Sequence, residues 1–159
     1  MALHIVLIEP EIPQNTGNIA RTCAATGAVL HLVGPMGFTV TDKQVKRAGL
    51  DYWGDVDIRY YQSSKEFFAK NEGQEMYYAS TKAAHVYADV PFPDEVYLLF
   101  GKETKGLPEA LLRANRERCI RIPMRENLRS LNLANAVAVV AYEYYRQKGF
   151  DGFQHEGKL

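Results

Sequence analysis

Apolar runs of four to six residues recur along this chain and alternate with stretches whose apolar positions fall at helical spacing. The runs Leu3–Ile8, Val29–Val33, Val56–Tyr60, Glu75–Ala79, Val96–Phe100 and Cys119–Ile122 predict strands. Helices are predicted over Thr16–Thr26, Asp42–Arg47, Ser64–Lys70, Pro108–Ala114 and Asn132–Gln147. Asn15 or Thr16 suits the first helix as a cap, Ser63-Ser64 opens the third, and Pro108 fits a first helical turn, where its missing N–H costs nothing. Gly27, Gly73 and Gly149 stand where left-handed caps are common. Strand–helix alternation with short loops predicts an α/β fold, a mostly parallel sheet with helices on both faces. The pattern fits one domain over residues 1–150, with 151–159 a flexible tail.

The last predicted helix departs from ordinary amphipathicity. From Leu133 to Ala141 it is almost wholly apolar, and Tyr142, Tyr144 and Tyr145 follow. A helix apolar nearly all round is buried on more than one side. It could be the core helix of a monomer, but a chain this small has difficulty wrapping it completely, which favours a subunit interface.

Composition narrows the class. At 159 residues, 47% apolar and 24% charged, the chain is an ordinary globular domain. Leu3–Ile8 is too short for a signal sequence, and no run approaches the roughly 20 apolar residues of a membrane span, so a cytoplasmic protein without membrane contact is expected. Cys23 and Cys119 lack metal or disulfide spacing and suit reduced core positions. The four histidines include no pair at metal-ligand spacing, and no metal is expected. The net charge is zero, yet six arginines crowd between Arg113 and Arg129 against two acids, and Lys43, Lys46 and Arg47 form a second basic group. Guanidinium clusters suit phosphate oxygens, although any one of these arginines could equally be a solvated surface residue.

Ligands of parallel α/β sheets bind beyond the carboxyl ends of the strands. That rule gathers four loops on one rim: Glu9–Asn15, Ala79–Lys82, Phe100–Leu107 and Pro123–Leu131. The segment Gly101-Lys102-Glu103-Thr104-Lys105-Gly106-Leu107 lacks the Gly-Lys-Ser/Thr of a phosphate-binding loop, and no GxGxxG follows the first strand. ATP hydrolysis and dinucleotide binding are therefore disfavoured. Arg21 lies about one and a half turns into the first predicted helix, within reach of the rim, a spacing equally open to an ordinary surface arginine.

Taken together these segments resemble the motifs of the SPOUT class of RNA methyltransferases, most nearly the TrmL (YibK) group of tRNA wobble-ribose 2′-O-methyltransferases. The resemblance is carried by Glu9-Pro10-Glu11-Ile12-Pro13-Gln14-Asn15-Thr16-Gly17-Asn18 with Arg21, Pro35-Met36-Gly37-Phe38, and Arg47-Ala48-Gly49-Leu50-Asp51-Tyr52. It continues in Phe100–Leu107, Ile120-Arg121-Ile122-Pro123-Met124 and Arg129-Ser130-Leu131-Asn132-Leu133-Ala134-Asn135-Ala136-Val137, and so spans about residue 3 to Gln147. It departs from the family at Gln14, where proline is frequent, and at Ser80-Thr81-Lys82, where Thr-Thr-Lys is.

The resemblance implies a C-terminal trefoil knot and a homodimer packed through the first and last helices, with Tyr142 at the interface. It implies S-adenosylmethionine bound around Ala79, Gly101, Glu103, Ile122, Met124, Ser130 and Leu131. The implied reaction is methylation of the ribose 2′-hydroxyl at position 34 of tRNA, a cytidine or modified uridine, with leucine isoacceptors the expected substrates. Arg21, Asn15, Ser130 and Asn132 would serve catalysis. Lys43, Lys46, Arg47, Arg125 and Arg129 would hold the anticodon loop, with Tyr52, Trp53 and His85 available for base stacking or for ordinary packing. Two alternatives stay open: a 2′-O-methyltransferase for another tRNA or rRNA position, and a non-catalytic knotted RNA-binding protein.

Overall fold

The computed structural model describes residues 2–39, 43, 47 and 53–159. Seven strands form one sheet in the order β3-β2-β1-β6-β4-β7-β5, and every pairing is parallel. They are β1 (Ala2–Ile8), β2 (Val29–Val33), β3 (Ile58–Tyr61), β4 (Met76–Ala79), β5 (His85–Val86), β6 (Glu95–Phe100) and β7 (Cys119–Arg121). The described helices are α1 (Pro13–Thr26), α2 (Ser64–Lys70), α3 (Glu109–Ala114) and α4 (Leu133–Gln147). Side chains alternate across the strands. Leu3, Ile5 and Leu7 of β1 therefore enter one core with Ile19 and Cys23 of α1 and Val137, Ala141 and Tyr144 of α4. Val6 and Ile8 enter the opposite core with Phe67 of α2 and Leu112 of α3. The predicted α/β layering with helices on both faces is what the chain adopts.

Two element starts differ from the sequence reading by two or more residues, and one short strand lies outside it. Helix α1 begins at Pro13, not Thr16. Its N-cap, Ile12, has no side-chain capping bond, and Asn15 and Thr16 lie buried inside the helix. Strand β3 begins at Ile58, because Trp53–Asp55 form a 3-10 turn and Val56 packs against the core beside it. The short edge strand β5 was not anticipated; its two residues carry no alternation to detect. In the predicted helix Asp42–Arg47, Lys43 and Arg47 are helical and exposed, and the remainder lies outside the described residues.

The chain turns back on itself after α4. Phe150 donates its N–H to the Tyr145 carbonyl at 2.8 Å, and the Phe153 ring lies 4.9 Å from that of Tyr145. Phe150 and Phe153 thus fold back over the last turn of α4 and pack against the core.

On the sheet face covered by α2, polar side chains form a continuous chain of hydrogen bonds. His4 Nε2 lies 3.2 Å from Glu95 Oε2, His4 Nδ1 lies 2.8 Å from His31 Nε2, and His31 Nδ1 lies 2.8 Å from the Tyr61 hydroxyl. A carboxylate only accepts, so His4 Nε2 donates to Glu95 and neutral His4 accepts at Nδ1. His31 must then donate from Nε2 and accept at Nδ1 from Tyr61. The Tyr61 oxygen accepts from Asn71 Nδ2 at 3.4 Å, and the Tyr97 hydroxyl donates to Asn71 Oδ1 at 3.2 Å. Burial drives the His31 pKa down to about 3 and lowers that of His4, where Glu95 opposes the shift.

Candidate active site

The predicted rim exists, and its loops are tied together by carboxylates. Glu103, in the loop after β6, accepts the N–H groups of Glu11 and Ile12 at 2.8 and 2.9 Å and the side-chain amide of Asn15 at 3.1 Å. Backbone N–H groups at a helix entrance lack intrahelical partners, and a carboxylate there also meets the positive end of the helix dipole. The cap expected from Asn15 or Thr16 is in this way supplied from far along the chain. Glu11 returns the contact: its Oε1 accepts from the Thr104 N–H at 3.0 Å and hydroxyl at 2.8 Å. These two bonds hold the Glu11 carboxyl below the usual range, with a smaller push from Lys102.

Asn132 extends the chain of contacts to α4. Its Oδ1 caps that helix, accepting from Ala134 N–H at 2.9 Å and Asn135 N–H at 3.2 Å, while its Nδ2 donates to Asn15 Oδ1 at 3.1 Å. The sequence Glu103–Asn15–Asn132 therefore links the β6 loop, the start of α1 and the start of α4. The β6 loop itself closes on a bridge between Lys102 and Gly106, the latter at φ +69°, a left-handed conformation that glycine adopts without strain. Gly101 is required for a different reason: an added Cβ would lie 2.0 Å from the Gly106 carbonyl carbon.

A cavity of about 540 Å³ opens among these loops. Of the residues implicated from sequence, Ala79, Gly101, Glu103, Ile122 and Met124 line it, and so do Ser130, Leu131, Asn15 and Asn132. Glu103 takes part mainly through its grip on α1. Arg129 also lines the cavity, whereas Arg125 is exposed outside it. Lys82, Tyr87 and Arg121 belong to the lining as well; the sequence places Lys82 in a rim loop and Arg121 in a resembling segment without giving either a role, and Tyr87, just past β5, is the one it does not single out.

Arg21 does not line the cavity within one chain. It lies on the exposed side of α1, six residues beyond Asn15, about 240° around the helix and roughly 9 Å along it. The earlier helix start also moves it about 4.5 Å deeper into α1 than expected. Within one chain Arg21 therefore stands apart from the cavity wall. Tyr142 is 43% exposed on α4, and with Val139 forms an apolar patch there. Trp53 packs against the core, and His85 pairs with Glu117 at 3.5 Å. Tyr52 and Lys46 lie outside the described residues.

A cavity walled by backbone at the carboxyl ends of a parallel sheet, with amides, a hydroxyl and cations on its rim, defines an α/β enzyme site for a small polar ligand. The chain belongs to the SpoU rRNA methylase family, whose model matches residues 2–142. It is 47% identical over 151 residues to the tRNA (cytidine(34)-2′-O)-methyltransferase of Escherichia coli K12, covering 94% of this chain and 96% of that protein. A solved structure described as giving insight into 2′-OH methylation of C/U34 on tRNA superposes with a TM-score of 0.89 at 47% identity, covering 94% and 97% of the two chains. The SpoU methyltransferase AviRb of Streptomyces viridochromogenes, in complex with AdoMet, superposes with a TM-score of 0.83 at 28% identity, covering 96% of this chain and 59% of that one.

Proposed function

We propose that this chain is a tRNA 2′-O-methyltransferase that uses S-adenosylmethionine to methylate the ribose of nucleotide 34, a cytidine or modified uridine, in the cytoplasm. The observation that carries the reading is the joining of Asn15, Glu103 and Asn132 around a cavity that Ser130 also lines, in a chain nearly half identical to an enzyme of that name. The cavity suits the cofactor. Ile122, Leu131 and Val140 give an apolar wall for a flat base, Ser80 and the loop from Gly101 to Gly106 give polar groups, and the volume lies within the roughly 300–1,000 Å³ of small-molecule sites.

Ala79, Gly101, Ile122, Met124 and Leu131 would hold the adenosine part, and Ser130 its polar end. When bound, the cofactor supplies an electrophilic methyl group on a sulfonium. The protein's share is alignment of the ribose and stabilisation of charge on its oxygen. Asn15 and Asn132 hold the floor of the site, and Ser130 is placed to orient the 2′-hydroxyl. Arg21, on the solvent side of α1, meets the RNA outside the cavity, where its permanent charge steadies the phosphate beside the reacting ribose. Arg129 at the cavity edge and Lys43, Arg47 and Arg125 outside it hold the anticodon loop, and Lys46 shares that role.

Two copies pair through α1 and α4, burying Val139 and Tyr142, and the chain after β6 is threaded as a trefoil knot. Support for the first is the exposed apolar patch on α4. Support for the second is the sheet order, in which β7 is laid between β4 and β5, two strands formed earlier in the chain.

Transfer of tritiated methyl from S-adenosylmethionine to total tRNA and to rRNA, followed by nucleoside analysis, tests the reading. Label in the ribose at position 34, first in leucine isoacceptors, is the expected result. Label elsewhere would replace the substrate with another RNA position. No label in either RNA would leave a non-catalytic RNA-binding protein.

A further inference from the structure

A second cavity, about 270 Å³, lies between the turn after β4 and helix α3. Both cavities include Ser80, Lys82 and Leu112 in their linings, so the second adjoins the first along one wall. Its floor is apolar, made of the buried residues Ala83, Leu112 and Cys119. The Cys119 thiol donates toward the Leu112 and Asn115 carbonyls at 3.5 and 3.3 Å, so it is a packed group without a chemical task. The rim is cationic. Lys82, Arg113 and Arg116 surround a single acid, Glu109, which is engaged with Arg113 at 2.9 Å. Arg116 makes no ion pair with any described residue, and its guanidinium is left to solvent.

An apolar floor beneath a cationic rim, with Arg116 free of any ion pair to a described residue, matches one unit of a polyanion: a base or ribose below, a phosphate above. The volume falls just under the range typical of whole small-molecule sites, which fits a chain segment better than a separate ligand. The shared wall decides which polyanion. A nucleotide seated with its ribose in the main cavity must pass its chain over some neighbouring surface, and this is a neighbouring surface with positive charge and depth. Resting on the tRNA reading above, we propose that the second cavity receives the nucleotide next to the methylated one, its base or ribose against Ala83 and Leu112 and its phosphate between Arg113 and Arg116.

The test is the double variant Arg113→Gln/Arg116→Gln, whose two positions line only the second cavity. KM for tRNA should rise about tenfold or more, and the dependence of tRNA affinity on salt should flatten by about one to two in log–log slope. Affinity for S-adenosylhomocysteine, measured by calorimetry, and kcat should stay within about threefold. Arg113→Lys/Arg116→Lys should recover most of the lost tRNA affinity. The remote pair Lys65→Gln/Lys70→Gln on α2 should change little. An unchanged KM and salt slope in the first variant, or a loss matched by the α2 pair, would overturn the inference. If the unaltered protein methylates no RNA, the main-site reading fails instead, and the two failures are told apart by that one control.

Discussion

On the α2 face of the sheet, His4, His31, Tyr61, Asn71 and Tyr97 pass hydrogen bonds among themselves and finish on Glu95. At the rim, Glu103, Asn15 and Asn132 likewise bond to one another, yet they do so around a space. Both are polar clusters within an otherwise apolar fold. In the first the pKa of His31 is shifted strongly, but both ring nitrogens are committed and none of its members lines the large cavity. In the second the bonds are made largely to backbone at two helix starts, and the Ser130 hydroxyl is left beside the cavity. A displaced pKa is often a mark of function; here the better mark is polar groups that hold loops apart.

The comparison can be broken in order of effect. Arg21→Ala should reduce methyl transfer by about a hundredfold or more, the scale expected when a charge that steadies the phosphate beside the reacting ribose is removed. Affinity for S-adenosylhomocysteine should stay within a few fold, since Arg21 is absent from the cavity wall. Equal loss of both would show that Arg21 serves the cofactor cavity after all.

Next is the cluster on the α2 face. The folded-state pKa of His31, about 3, lies below its ordinary 6.5, so the folded protein binds fewer protons than the unfolded chain. The resulting stability is fully present above about pH 6.5 and is lost as the pH falls toward 3. At about 1.4 kcal/mol per unit the loss approaches 4–5 kcal/mol, and His4 adds in the same direction. Urea unfolding at pH 7 and pH 4 should show about two-thirds of that loss, with methylation at pH 7 the separate readout. His31→Gln should flatten that pH dependence; an unchanged slope would assign it to other groups.

Glu103→Gln presents an N–H₂ to the waiting donors of Glu11, Ile12 and Asn15, and should cost about 1.5–3 kcal/mol, the range for hydrogen bonds to charged groups. Cofactor affinity should fall with it, since the same loop lines the cavity. Thermal unfolding and calorimetry together check this, and a loss of stability alone would separate the clasp from the site. The smallest expected change in stability is Asn132→Asp, which keeps the cap on α4, with a charge suited to a helix start, but sets an acceptor against the Asn15 oxygen in place of the donor. Stability should move by about 1 kcal/mol or less, while methylation falls further than stability does.

Much of this was legible in the sequence, and the gaps share a cause. The strands from Val29, Val96 and Cys119 and the helix from Ser64 lie where pattern placed them, because alternation and Ser63 are local signals. The rim followed from a rule about strand ends. What local pattern missed depends on residues distant in sequence: α1 starts at Pro13 where Glu103 holds the two amides just before it, and His4 meets His31 because β1 and β2 lie side by side in parallel register. The cleft between Lys82 and Arg116 likewise forms only when β4 and β7 become neighbours.

One side chain, Asn132, both begins α4 and grips the helix that opens the fold. A tilt of α4 by a few degrees would thus pull on Asn15, and through it on the hairpin-like bend that carries Glu103. Opening the mouth for cofactor exchange is then a concerted shift of two helix ends and one loop, so entry and departure should slow together when any member of that trio is stiffened.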